Sequence, residues 1–131
     1  MAASPIFAVT PRMVVAQVSV ANTARDGTGT LADLITGVAS PGTRINKITI
    51  KAIATSAAGM IRIYFHDGTN SRLYREIVVP AITASGTVGA FIYEILFNDD
   101  DAPILPNASC KLQASTNNAE TFNIIVEAAD F

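Results

Sequence analysis

The chain has 131 residues, half of them hydrophobic, with only 15% charged and a net charge of −2. That length makes one domain, large enough to hold a core without disulfide or metal staples. The near-neutral balance and the lack of any basic run leave direct nucleic-acid binding without a footing. So little charge to cover a surface points to a subunit that is partly covered by another chain, hence to a homo-oligomer or an assembly component.

Residues 1–13, MAASPIFAVTPRM, read as an extended N-terminal arm. Pro5 and Pro11 cannot donate to a β-ladder and discourage helix. The stretch lacks the basic start and sustained apolar core of a secretory signal. No segment approaches the length of a membrane span, so no membrane partner is expected.

Residues 14–131 read as a single β-sandwich domain of eight strands. These are Val14–Val20, Leu31–Val38, Arg44–Thr55, Met60–His66, Arg72–Val79, Val88–Phe97, Ser109–Ala114 and Thr121–Ala128. Ile48, Ile50, Ala52 and Ala54 alternate with Lys47, Thr49 and Lys51. Phe91, Tyr93, Ile95 and Phe97 share a face, as do Phe122, Ile124 and Val126. One apolar face per strand means sheets packed on one side and mainly antiparallel. Leu31–Val38 also tolerates a helical turn, although Gly37 and its β-branched residues count against one.

The clearest unit is Met60–Pro80. Ile61, Ile63 and Phe65 alternate with Arg62, Tyr64 and His66. The turn His66-Asp67-Gly68-Thr69-Asn70 follows, and Leu73, Arg75, Ile77 and Val79 resume the alternation until Pro80. This is a β-hairpin pattern. Eight short strands without an amphipathic helix fit a sandwich or barrel. An antiparallel eight-stranded jelly roll with an N-terminal arm accommodates the long connections; seven strands with an arm would fit an immunoglobulin-like sandwich.

The charges are segregated along the chain. Residues 1–75 carry eight Lys and Arg against three Asp, whereas residues 76–131 carry Lys111 against eight acidic residues. In a sandwich the two halves interleave, so internal pairing is the expected use of this asymmetry.

Candidate chemistry is sparse. His66-Asp67 sits at a strand-to-turn junction with no second histidine and no nucleophile elbow, so it reads as a turn. Asn98-Asp99-Asp100-Asp101 is the densest oxygen cluster and a weak calcium candidate, but it lacks EF-hand spacing and precedes Pro103 and Pro106 as an ordinary loop would. An acidic loop of this kind also suits docking onto a basic patch. Asp26-Gly27-Thr28-Gly29-Thr30 lacks the lysine and helix of a phosphate loop. Glu76 and Glu94 alternate with apolar neighbours, which places them on outward faces, and the absence of Trp leaves a glycosidase without its sugar platforms. Cys110 is the only cysteine; it cannot form an intrachain disulfide and reads as buried. Asn107-Ala108-Ser109 is a formal glycosylation sequon that matters only in a secreted chain. No catalytic constellation emerges, no cofactor is indicated, and an enzyme is not expected.

The string TRINKITIKAIATSAAGMIRIYFHDGTNSRLYREIVVPAITASG, the preceding NTARDGTGTL and the ending FNIIVEAADF resemble small virion structural proteins of tailed bacteriophages. The resemblance covers residues 20–131 and is one of strand and turn texture. It is strongest to jelly-roll capsid decoration, or cement, proteins. It implies a protein made in the host cytoplasm and placed on the outer capsid surface of the virion. There it would bind the major capsid protein as a dimer or trimer. The alternatives are a tail or baseplate component such as a receptor-binding tip, and a carbohydrate-binding β-sandwich module. On this reading the arm residues Ile6, Phe7 and Val9 would fill pockets on a neighbour. Arg62 and Tyr64, on the other face of the hairpin, with Arg72 or Arg75 nearby, would face an acidic partner surface.

Overall fold

The computed structural model describes residues 7–98 and 100–131. Among them are nine strands and no helix: β1 Thr10–Val18, β2 Ala32–Thr36, β3 Thr43–Ala52, β4 Gly59–His66, β5 Ser71–Val79, β6 Ile92–Leu96, β7 Ile104–Leu105, β8 Lys111–Thr116 and β9 Phe122–Asp130. They form two sheets packed as a β-sandwich. The first has the order β1-β9-β3-β6, with β7 also pairing β3, and the second has the order β2-β8-β4-β5. Every ladder is antiparallel.

The apolar alternation explains the layering. Ile48, Ile50, Phe122, Ile124 and Val126 project inward from the first sheet, and Ile61, Ile63, Ile77, Val79, Leu112 and Ala114 from the second. Phe91 meets Phe122 edge to face, with ring centroids 6.4 Å apart, a favoured aromatic geometry. Cys110 is buried in this core.

Bulges account for the departures from strict alternation. Between Ile45 and Lys47 the β3–β9 register shifts, so Ile45 and Ile48 both face the core although their numbers differ in parity. In the β4–β5 hairpin Ile63 opposes Arg75 but Tyr64 opposes Leu73, which leaves Tyr74 unpaired. An extra residue of this kind turns the side chains before it to the other face. Leu73 is thereby separated from Ile77 and Val79, with which plain alternation grouped it.

Three expectations need correction. The arm is shorter than residues 1–13, because Thr10–Met13 belong to β1 and pair with Glu127–Asp130. Pro11 is compatible with that strand because β1 is an edge, where a missing N–H leaves no partner unsatisfied. The strands number nine rather than eight: the stretch 98–106, read as turn, contains the two-residue β7, too short to show a period. Tyr93 lies opposite the buried Ile50 yet is half exposed, since β6 is the sheet's other margin and the core ends there.

The core assignment predicts a sharp contrast between two hairpin positions. Ile63→Ala, at a fully buried site, lowers unfolding free energy by about 2–4 kcal/mol. Val78→Ala, at a site 70% exposed, changes it by less than about 0.5 kcal/mol. Urea denaturation of both variants measures the difference.

Candidate functional site

The outer face of the second sheet is not a free surface. The connection from β1 to β2, residues 19–31, lies across it and seals the side chains of β4 and β8 beneath. Arg62 is 3% exposed and Tyr64 is 0% exposed. The Arg62 guanidinium donates to the Asn22 carbonyl at 3.2 Å, to Glu76 Oε2 at 3.3 Å and to Asn117 Oδ1 at 3.3 Å. The Tyr64 hydroxyl donates to the Ala24 carbonyl at 2.7 Å. Arg62 and Tyr64, expected on an exposed docking face, are therefore corrected to structural residues. They do point away from the core, but the chain supplies its own cover.

The covering segment is shaped by a few polar contacts. Buried Asn22 donates its side-chain amide to the Thr28 and Thr30 carbonyls and accepts from the Ala24 N–H. Asp26 accepts from both the N–H and the hydroxyl of Thr28, closing the turn read from the sequence. Gly27 and Gly29 have φ of 87° and 81°. A Cβ on Gly27 would lie 2.3 Å from the Ser71 carbonyl oxygen, so this loop sits against β5 only because the position is glycine. Glu76 holds the outer side: Arg25 donates to its Oε2 at 2.8 Å.

The one arrangement that superficially suggests catalysis lies at the end of this face. His66 Nδ1 is 3.0 Å from Ser71 Oγ, and Ser71 Oγ donates to Gln113 Oε1. Gln113 donates to Asp33 at 2.9 Å, and Lys111 pairs with Asp33 at 3.1 Å. With its proton given to Gln113, Ser71 accepts from His66. That is the reverse of the proton direction a serine nucleophile requires. Asp67 turns away and accepts from the Thr69 and Asn70 N–H groups, so His66-Asp67 is the turn its sequence indicated.

The acidic cluster is split. Asp99 lies outside the described residues. Asp101 accepts from the Asn98 N–H at 2.6 Å, and Asp100 and Asp101 are exposed. Among the described residues no group of three His, Cys, Asp or Glu could hold a metal ion.

The other proposed contact residues fall at two places. Ile6 lies outside the described residues; Phe7 and Val9, ahead of β1, are largely exposed. The Val9 N–H reaches the Asp130 carbonyl at 3.0 Å. Arg72 and Arg75 are exposed on β5, with the Arg75 guanidinium 5.3 Å from the Tyr74 ring centroid and 5.2 Å from that of Phe97. These two arginines stand on the opposite margin of the sandwich from β1.

The candidate interaction surface that the structure does leave open is the outer face of the first sheet. Rows of side chains cross it: Val15, Ile125, Thr49 and Glu94 in one, Met13, Glu127, Lys47 and Leu96 in the next. Its margins are apolar and its centre is polar. Met13, Val15, Ile92 and Leu96 are exposed, and Lys47 pairs with Glu94 at 3.4 Å. A depression of about 460 Å³ lies on the β1 side, lined by Pro11, Arg12, Met13, Asn46, Glu127 and Ala128. Alternation had indicated one polar face here. Apolar residues on both faces of β1, in TPRMVVAQV, were the available sign that this face is different.

No family model matches the chain, and no curated protein sequence does.

Two predictions follow from the buried guanidinium and its carboxylate. Arg62→Ala removes three hydrogen bonds and leaves the Asn22 carbonyl under the loop without its donor, for a loss of about 3 kcal/mol; thermal and urea unfolding measure it. Glu76 has its acidity increased, first by the Arg25 hydrogen bond and then by the charges of Arg25 and Arg62, so its pKa lies below the ordinary 4.5. A depressed carboxylate stabilises the fold above its unfolded value and loses that contribution as pH falls through the folded one. Glu76→Gln is therefore less stable than wild type at neutral pH, and the gap narrows and closes as pH falls below the ordinary carboxylate range. Urea midpoints across that range test the sign.

Proposed function

We propose that the chain is a virion structural subunit of the decoration class, binding the outside of a phage head through surface burial rather than chemistry. The observation that carries this reading is the open outer face of the first sheet. It presents Met13 and Val15 at one margin and Ile92 and Leu96 at the other to solvent on a chain with few charges, and exposed apolar side chains left together at a sheet margin mark association surfaces. The resemblance of its strand and turn texture to tailed-phage virion proteins points to the major capsid protein as the partner.

The strand order supports the finer description of the sandwich as a jelly roll. Setting aside the two-residue β7, eight strands alternate between sheets except at the β4–β5 hairpin, which is the double-sheet connectivity of that class. The segment ahead of β1 is the natural arm. Phe7 and Val9 are exposed there and can add to a neighbouring surface.

Electron cryomicroscopy of undecorated heads mixed with the purified protein tests the role. Added density on the capsomers is expected, and bare capsomers at saturating protein would exclude it. Deleting residues 1–8 should leave the unfolding midpoint unchanged and reduce occupancy on the heads. Full occupancy by the truncated chain would remove the arm from the account. The deletion stops short of Val9 because its N–H already bonds Asp130.

A further inference from the structure

The two sheets have four margins, and three of them are guarded. β2 is five residues long, carries Asp33 and has a register break between Asp33 and Ile35. β5 carries Arg72, Arg75 and Glu76 and has the bulge at Tyr74. β6 is five residues long and carries Glu94. Short length, charge and bulges are the devices that stop an edge from pairing with another strand.

β1 has almost none of them. It is nine residues long and pairs with β9 without a register shift from Thr10 to Val18. Its single charge is Arg12, and that guanidinium is drawn inward to the Thr36 carbonyl at 2.7 Å, to Thr43 Oγ1 at 3.0 Å and to Asp130 at 3.2 Å. Met13 and Val15 on the outer face are 61% and 63% exposed. Pro11 is the one interruption, and it removes a single N–H near one end.

We propose that β1 pairs antiparallel with β1 of a second copy about a twofold axis, joining the two first sheets into one continuous sheet. This inference does not depend on the capsid reading. The edge is self-complementary: its outward residues Pro11, Met13, Val15 and Gln17 carry no charge, so the axis brings no like charges together. Residues opposed across an antiparallel pair share a face, so odd positions must oppose odd positions. The register with Val14 on the axis sets Met13 against Val15 of the second copy and covers both. It also extends each chain's exposed Val9 and Phe7 along the Ser19 end of the other β1. Exposed Val20 and a cavity of about 80 Å³, lined in part by Val18, Val20 and Ala32, lie at that end. The residues ahead of β1 thus gain a surface that their own chain does not offer them.

Sedimentation velocity on the full chain is the test, with Val15→Lys and, as control, Val78→Lys on β5. The control site is equally exposed but lies on another strand. Wild type is expected at twice the 13.7 kDa chain mass. Val15→Lys should weaken association at least tenfold while its thermal midpoint, extrapolated to low protein concentration, matches that of wild type. Val78→Lys should keep the wild-type mass. A monomeric or trimeric wild type, a Val15→Lys variant that associates as tightly as wild type, or a Val78→Lys variant that dissociates would each overturn the proposal.

Discussion

Burying the Arg62 guanidinium under the 19–31 connection is the constraint on which the second sheet depends. A cation removed from water costs several kcal/mol unless its donors are matched. Here the acceptors come from three separate places: Glu76 on β5, the Asn22 carbonyl in the connection, and Asn117 in the turn after β8. None of them can leave without stranding the charge. Arg62 therefore fixes the loop, the hairpin and the β8–β9 turn relative to one another. Asn22 repeats the device on a smaller scale by bonding the Thr28 and Thr30 carbonyls. The result is that β4 and β8 are buried on both faces, the condition normally met by central strands covered by helices. A long irregular connection does the covering here.

This sets up a polarity between the two sheets. The second has a self-made outer layer that occupies its polar groups, including the His66–Ser71–Gln113–Asp33 chain. The first has no such layer. Its outer face carries Met13 and Val15 at one margin and Leu96 at the other, with Lys47 and Glu127 between them, so its exposed apolar area lies at the sheet's edges rather than at its centre. The contrast separates structure from contact within one small domain: what looked most chemical in the sequence is structural, and the plain-looking first strand is the exposed one.

Much of the architecture was legible because a half-buried strand writes its burial into a period of two. The cores of β3, β4 and β9 follow from Ile48, Ile50, Ile61, Ile63, Ile124 and Val126 alone. Features that break the period were not legible. The bulges at Asn46 and Tyr74 each insert one residue, and nothing in the identity of either residue announces it. The docking role read for Arg62 and Tyr64 failed for a different reason. Alternation shows which way a side chain points relative to its neighbours, but not whether a distant loop lies over it. NTARDGTGT did carry a hint, since two glycines and an Asn in one connection are what close approach of backbone to a sheet demands. Pro11 argues against an interior strand but not against an edge strand such as β1, so the arm ends before Thr10.

The segregation of charge along the chain finds its use inside the fold. Arg12–Asp130, Arg25–Glu76, Arg62–Glu76, Lys47–Glu94 and Asp33–Lys111 each join a residue before position 76 to one at or after it. Such pairs contribute little individually when exposed. Together they tie the two halves of a chain whose strands interleave between sheets. The expense falls on the surface: charges consumed in pairing are not available to steer a partner from a distance. The proposed pairing through the first sheet would then rest on backbone hydrogen bonds along β1 and on apolar contact at Met13 and Val15, both short-ranged and weakly screened by salt. A surface of this kind discriminates by fit and register rather than by charge at a distance.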